Sequence, residues 1–357
     1  MKLPSDIAVK ERRKRSIGYY LIRSAGLLLG IFLVYWFVSR SDLNGIWEQL
    51  QRFNIFFLTI IAATFTAYFM ATAAWRLSFY RYPGHLSVFY LFVIRQVGES
   101  LAQINPTNMV AGDALKAALL KRHAVPWKDS IVSLTLSRFL ILFSALSLVM
   151  IGASIFFDRL KLNTGIYTLI AAVAGLFTVF IVMLVRLGTG KGILSPVTSV
   201  LEILMKRFPH AERILSLAEK LREVDEELID FYRTRKIHFT AAFLLSFCHW
   251  LMGAMEFYLI LRVLGFDVTY LSCVAIEVGV MVFKAAGAAV PGQIGIEEYA
   301  SKVMIDFVNV PSSNIWITVS ILRRARQLFW ILAGFVAFLV IMRVTEGRQD
   351  GSALHNA

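Results

Sequence analysis

Long apolar runs separated by short polar stretches dominate this chain. A membrane-spanning helix needs about 20 mainly apolar residues, and six segments reach that length: 17–38, 55–79, 130–157, 166–185, 238–264 and 314–342. Two more apolar stretches are broken in the middle. Residues 86–104 run into Asn105-Pro106-Thr107-Asn108 and resume as an amphipathic stretch to 120; residues 271–290 run into Pro291-Gly292-Gln293-Ile294-Gly295 and resume to 308. Each arm is short for a span, and a broken helix survives in lipid only where it is buried in protein or lines a cavity. The pattern predicts an all-α polytopic membrane protein with six transmembrane helices and two opposed re-entrant hairpins, 86–120 and 271–308.

The two hairpins share a spacing. Pro106 is followed by Asp113 and then Arg138, and 185 residues later Pro291 is followed by Glu298 and then Arg323 at the same separations. The same shift carries the second span onto the fifth and the third onto the sixth. Each half then has two spans, a hairpin and a third span, and the halves begin on opposite sides of the membrane. Such an inverted-topology repeat, with broken helices at matching positions, is the sequence pattern of secondary transporters. The expected organisation is a basic N-terminus (1–16), a first half (17–157), a second half (166–343) with an amphipathic insert (187–236), and a tail (344–357).

Composition narrows the class. Hydrophobic residues make up 57% and charged residues 17%, below the roughly 25% charged that soluble domains carry. Lys and Arg number 37 against 24 Asp and Glu, a net charge of +13. These charges sit between apolar runs, where an anionic membrane surface is the natural partner rather than nucleic acid. Both cysteines, Cys248 and Cys273, lie in apolar segments, so no disulfide framework is expected. With the N-terminus inside, the even-numbered loops hold Lys121-Arg122-His123, Lys128 and the basic residues of 186–236. That asymmetry places both termini in the cytoplasm of a cell-membrane, inner-membrane protein. The first span follows a basic stretch but ends Phe37-Val38-Ser39-Arg40 without a small-residue cleavage site, as a retained anchor would. The insert has helical spacing with Leu217, Leu221 and Leu228 on its apolar face, which predicts interfacial helices on the cytoplasmic surface.

A charge at mid-bilayer is unfavourable by about 2.5–3.5 kcal/mol on insertion scales, so each one needs a partner or a wet cavity. Near the first hairpin stand Glu99, Asp113, Lys116 and Arg138; near the second, Glu277, Lys284, Glu297, Glu298, Arg323, Arg324 and Arg326. Glu99 and Lys284 lie seven residues before the two tip prolines, and their opposite signs suit mutual pairing across a pseudo-twofold axis. The functional expectation is a polar cavity in which Arg138 and Arg323 receive an anionic headgroup, partnered by Asp113 and Glu298. The alternative is a set of buried ion pairs that only fix the hairpins. Pro291, Gly292 and Gly295 also suit a ligand cradle, because a helix starting near Ile296 would aim its positive end at the tip. The rival readings there are a plain chain reversal and an electrostatic cap by Glu297 and Glu298.

Other chemistry finds little support. Glu256 and His249 share a helix face, but no metal-ligand pattern accompanies them. Gly188-Thr189-Gly190-Lys191-Gly192 lacks the first glycine and the hydroxyl residue of a phosphate loop. No nucleophile elbow occurs. No cofactor and no metal are expected.

The run Gly112-Asp113-Ala114-Leu115-Lys116-Ala117-Ala118-Leu119-Leu120-Lys121-Arg122, followed by Ser137-Arg138, resembles the first signature of the lysylphosphatidylglycerol synthase transmembrane, flippase-like family. Pro291-Gly292-Gln293-Ile294-Gly295-Ile296-Glu297-Glu298 resembles its second, and Arg323-Arg324-Ala325-Arg326 followed by Gly334 is similar to the last span of its hopanoid-biosynthesis-associated branch. The resemblance covers roughly residues 17–343. It implies a lipid translocase that moves a lipid, often aminoacylated or otherwise modified, between leaflets, with an anionic or aminoacylated phospholipid as the expected membrane partner, and it carries over Gly112, Asp113, Pro291, Gly295, Glu298 and Arg323 as site residues. Gly292-Gln293-Ile294-Gly295 departs from a turn that often has Gly-Gly, which bears on headgroup preference. The sequence reading is thus an ATP-independent flippase or scramblase, a transporter rather than an enzyme. Its rivals are a membrane-embedded lipid-modifying transferase with Glu298 or His249 as base, and a scaffold for a lipid synthase acting through 191–236. A lipid synthase and a second copy of the chain, as a homodimer, are the protein partners left open.

Overall fold

A computed structural model describes residues 44, 47–48, 51, 53–80, 84–104, 109–155, 164–196, 198–199, 212–287, 293, 295–310 and 315–354. Ten helices account for nearly all of them, with no strand among the described residues: α1 (Phe56–Leu77), α2 (Val88–Ile104), α3 (Met109–Arg122), α4 (Trp127–Ile155), α5 (Thr164–Thr189), α6 (Glu212–Thr234), α7 (Lys236–Val263), α8 (Tyr270–Ala286), α9 (Ile296–Phe307) and α10 (Ile315–Leu354). The first predicted span, the second tip residues Pro291 and Gly292, and Pro106 lie outside the described residues.

Four helices are long and apolar enough to cross a membrane: α1, α4, α7 and the 315–343 part of α10. They coincide with the second, third, fifth and sixth predicted spans, and α5 covers the fourth. Some hydroxyls inside them close their hydrogen bonds within the helix. In α1, Thr64 and Thr72 return their hydroxyls to the carbonyls of Ile60 and Tyr68, which keeps a β-branched alcohol tolerable in an apolar span.

Each predicted hairpin is a pair of packed short helices. Arms of 17 and 14 residues (α2, α3) and of 17 and 12 (α8, α9) reach about 18–26 Å at 1.5 Å per residue, less than a hydrocarbon core of about 30 Å. Gly98 of α2 and Gly112 of α3 meet backbone to backbone: a Cβ on Gly112 would stand 2.5 Å from the Gly98 carbonyl oxygen, and one on Gly98 would stand 2.8 Å from that of Gly112. Thr269 caps α8, accepting the Ser272 amide at 3.2 Å.

Helix neighbours repeat with the 185-residue offset. The helices α1 and α7 pack along each other at the centre. Around them, α2 lies between α1 and α10, while α8 lies between α7 and α4; α3 packs on α4 as α9 packs on α10. The apolar core follows this arrangement. One cluster joins Ile60, Phe257, Ile276, Ile305 and Leu322, and another joins Trp75, Leu91, Ile94, Leu120 and Leu134.

Within the insert, the second half of α6 buries Val224, Leu228 and Phe231 against Leu187 of α5, Leu136 and Phe139 of α4, and Phe239 of α7. Asp225 fixes this packing: its Oδ1 accepts the amides of Ile193 and Leu194 at 2.7 and 3.1 Å. Gly192, at φ +70°, leaves the space the Asp225 carboxylate fills. The glycine-rich run 188–192 is therefore a docking turn for α6.

Candidate functional site

Two groups of ionisable side chains form inside the bundle, one at each hairpin. In the first, Asp113 on α3 and Glu99 on α2 flank the Arg138 guanidinium of α4. Arg138 Nε donates to Asp113 Oδ2 at 3.0 Å, while its Nη2 donates to Asp113 Oδ1 at 2.8 Å and to Glu99 Oε1 at 2.9 Å. The fork-to-carboxylate match with Asp113 has the bidentate geometry that arginine favours. Lys116, one turn beyond Asp113, donates to Glu99 Oε1 at 2.5 Å and Asp113 Oδ1 at 3.0 Å, with its ammonium 5.9 Å from the Trp75 ring. The glycine crossing at Gly98 and Gly112 sets this geometry, since the Lys116 stem runs where a Cβ on Gly98 would go. Gly112 acts through packing.

In the second group Arg323 of α10 is held by three carboxylates: Glu297 of α9 at 2.8 Å, Glu256 of α7 at 3.1 Å and Glu277 of α8 at 3.5 Å. Its guanidinium also lies 4.2 Å from the Phe257 ring centre. Gly253 makes room for Glu277, whose Oε1 lies 2.7 Å from where a Cβ on that glycine would be. Lys284 reaches Glu297 at 3.4 Å. Arg326 Nε lies 2.8 Å from Glu256 Oε1, an ion pair too poorly aligned to count as a hydrogen bond, and its Nη1 donates to the Tyr68 hydroxyl at 3.2 Å.

Two expected pairings are corrected. Arg323 does not partner Glu298; Arg324 does, donating to Glu298 Oε1 at 2.9 and 2.6 Å. One residue along a helix is about 100° around its axis, so Glu297 and Arg323 face inward while Glu298 and Arg324 meet on another face. Glu99 and Lys284 do not meet either, because each is taken by a residue of its own half: Lys116 and Arg138 for Glu99, and Glu297 for Lys284. Glu298 has a second task. Its Oε2 accepts the Gly295 amide at 2.7 Å, the carboxylate half of a capping box at the start of α9. Gly295 has φ +85°, a conformation that only glycine adopts freely. One amide the cradle reading would offer a phosphate is thus occupied by the chain's own carboxylate. His249 Nδ1 is hydrogen-bonded to the Ala67 carbonyl at 2.9 Å.

The groups differ in access. The Arg138 side chain is 19% exposed and that of Arg323 5%; Lys116 of the first group is buried and Lys284 of the second is 34% exposed, so the two differ at their arginines, Arg138 partly accessible and Arg323 enclosed. Between them run residues the sequence reading passed over. Tyr68 of α1 carries Arg95 of α2 over its ring at 5.4 Å and takes Arg326 on its hydroxyl. Arg95 had one available signal, a position four residues before Glu99 within an apolar arm. Glu256, noted only beside His249, is a central carboxylate of the second group.

An all-helical, multi-pass membrane protein with an ionisable interior is the class these features define. The chain belongs to the family described as Lysylphosphatidylglycerol synthase TM region, whose match spans residues 23–334. No curated protein and no solved structure matches it.

Proposed function

We propose that this chain translocates a phospholipid or modified lipid between membrane leaflets without ATP, the headgroup passing beside the first charge group while the acyl chains stay in the bilayer. The observation carrying this reading is the Arg138–Asp113–Glu99–Lys116 group, partly exposed at Arg138, Asp113 and Glu99, built by two helices too short to span together with α4. A lipid headgroup needs just such a polar station within an apolar surround. In this reading the hairpins are re-entrant and the halves form an inverted repeat, supported by helix neighbours that recur at the 185-residue offset. Both termini are cytoplasmic, and the cell membrane is the site of action. The second group then holds α7, α8, α9 and α10 as a rigid unit against which the first group's helices work.

The test is leaflet exchange of headgroup-labelled phospholipid in vesicles containing the purified protein, with mass analysis of the same lipids. Exchange with unchanged lipid mass is the expected result. A covalently altered lipid would assign the chain to lipid modification instead.

A further inference from the structure

Among the described residues of the first hairpin, Arg95 is the cation that the ion pairs above leave out. It is 7% exposed, and its Nη1 has no hydrogen-bond partner. Beside it Gln96, 3% exposed, has neither its amide nitrogen nor its amide oxygen paired. The nearby carboxylates are already engaged: Glu99 and Asp113 both serve Lys116 and Arg138. Arg95, Lys116 and Arg138 thus set three positive charges against two negative ones, whereas Arg323, Arg326 and Lys284 are matched one for one by Glu256, Glu277 and Glu297. A buried guanidinium that shares two carboxylates with two other cations and bonds to neither is unfavourable, and a protein that keeps one commonly uses it for a ligand's charge.

We infer that Arg95 receives a singly charged phosphate group, the phosphodiester of a lipid headgroup, which balances the surplus charge of the first group. The inference rests on the translocation reading and names the ligand chemistry of its site. The surroundings favour an amphiphile over a free ion. Phe92, one turn before Arg95, has its ring 5.2 Å from Phe65 and 6.2 Å from Trp330, and Phe65 and Phe69 are exposed beside it. A buried cation next to an exposed aromatic wall fits a phosphate with acyl chains attached. The guanidinium is held ready by Tyr68, whose ring contact offsets part of the unpaired charge without consuming an N–H donor.

The experiment uses the full chain in detergent. Native mass spectrometry measures the binding of phosphatidylglycerol, diacylglycerol and inorganic phosphate to wild type, Arg95→Gln and Arg95→Lys, with the melting temperature of each lipid-free protein. Wild type is expected to prefer phosphatidylglycerol over diacylglycerol by on the order of tenfold or more, the worth of one hydrogen bond to a charged group. Arg95→Gln should lose that preference and Arg95→Lys retain part of it. Removing a lone buried charge should leave the lipid-free melting temperature unchanged or higher. A lower melting temperature, or an undiminished preference in Arg95→Gln, overturns the inference. Inorganic phosphate that binds wild type as well as the lipid does overturns the lipid assignment. The translocation reading fails separately: if wild-type vesicles exchange no lipid while the Arg95-dependent preference persists, the phosphate site stands and the transport reading falls.

Discussion

Arg138 and Arg323 stand at equivalent places 185 residues apart, on α4 and α10, yet one is held by Asp113 and Glu99 at a partly exposed site and the other is enclosed by three glutamates. Removing the two should therefore have different consequences. Arg323→Met leaves the buried Glu277 without a cation, Glu256 and Glu297 keeping Arg326 and Lys284, and is expected to destabilise the protein by about 3–5 kcal/mol, the usual result of orphaning a buried charge. Arg138→Met leaves Lys116 to serve Glu99 and Asp113 and should lower stability by less than half as much. Unfolding of both variants in detergent against wild type measures the difference.

The glycine crossing of the first hairpin should tolerate no added methyl. Gly98→Ala and Gly112→Ala each place a Cβ within 3 Å of a neighbouring backbone oxygen, and overpacking of that kind costs about 1–3 kcal/mol. Gly175→Ala on α5 meets no atom within 4 Å and should leave the melting temperature unchanged. The three variants compared in one thermal series check the claim.

Asp225 couples the insert to the bundle. Asp225→Ala leaves the amides of Ile193 and Leu194 without their acceptor, and the expected loss is about 1–3 kcal/mol. Hydrogen exchange should rise at residues 190–195 and along α6 while α1 stays protected.

Tyr68 touches both charge groups through different atoms. Tyr68→Phe keeps the ring beneath Arg95 and removes the acceptor of Arg326. A double-mutant cycle between Tyr68→Phe and Arg326→Met should return a coupling of about 1 kcal/mol, within the range for contacting pairs. The same cycle with Arg95→Gln should return none.

The hairpins were legible because their chemistry is periodic. Apolar runs broken at the same offset placed α2, α3, α8 and α9 within a few residues of their observed ends, and the Asp113–Arg138 spacing correctly paired α3 with α4. The second site was not legible at the same depth. Glu297 and Glu298 are neighbours of one charge, and which of them faces the core depends on how α9 is rotated, a property set by packing against α8 and α10 rather than by local sequence. Arg95 escaped for another reason: a single cation in a short apolar arm looks like an ordinary helix residue until its surroundings show that the nearby carboxylates, Glu99 and Asp113, bond to other cations. The insert's apolar face was visible, but whether protein or lipid covers it is a tertiary fact.

The most direct measurement is the rate of leaflet exchange of a labelled anionic phospholipid in vesicles holding wild type, Asp113→Asn or Glu298→Gln. The account places Asp113 at the partly exposed headgroup station and Glu298 at a helix cap outside it. Exchange should be fast with wild type, should fall by on the order of tenfold or more in Asp113→Asn, the worth of one charged hydrogen bond, and should persist in folded Glu298→Gln. Exchange that is indifferent to Asp113 but lost with Glu298 would contradict the account and move the headgroup path to the second hairpin.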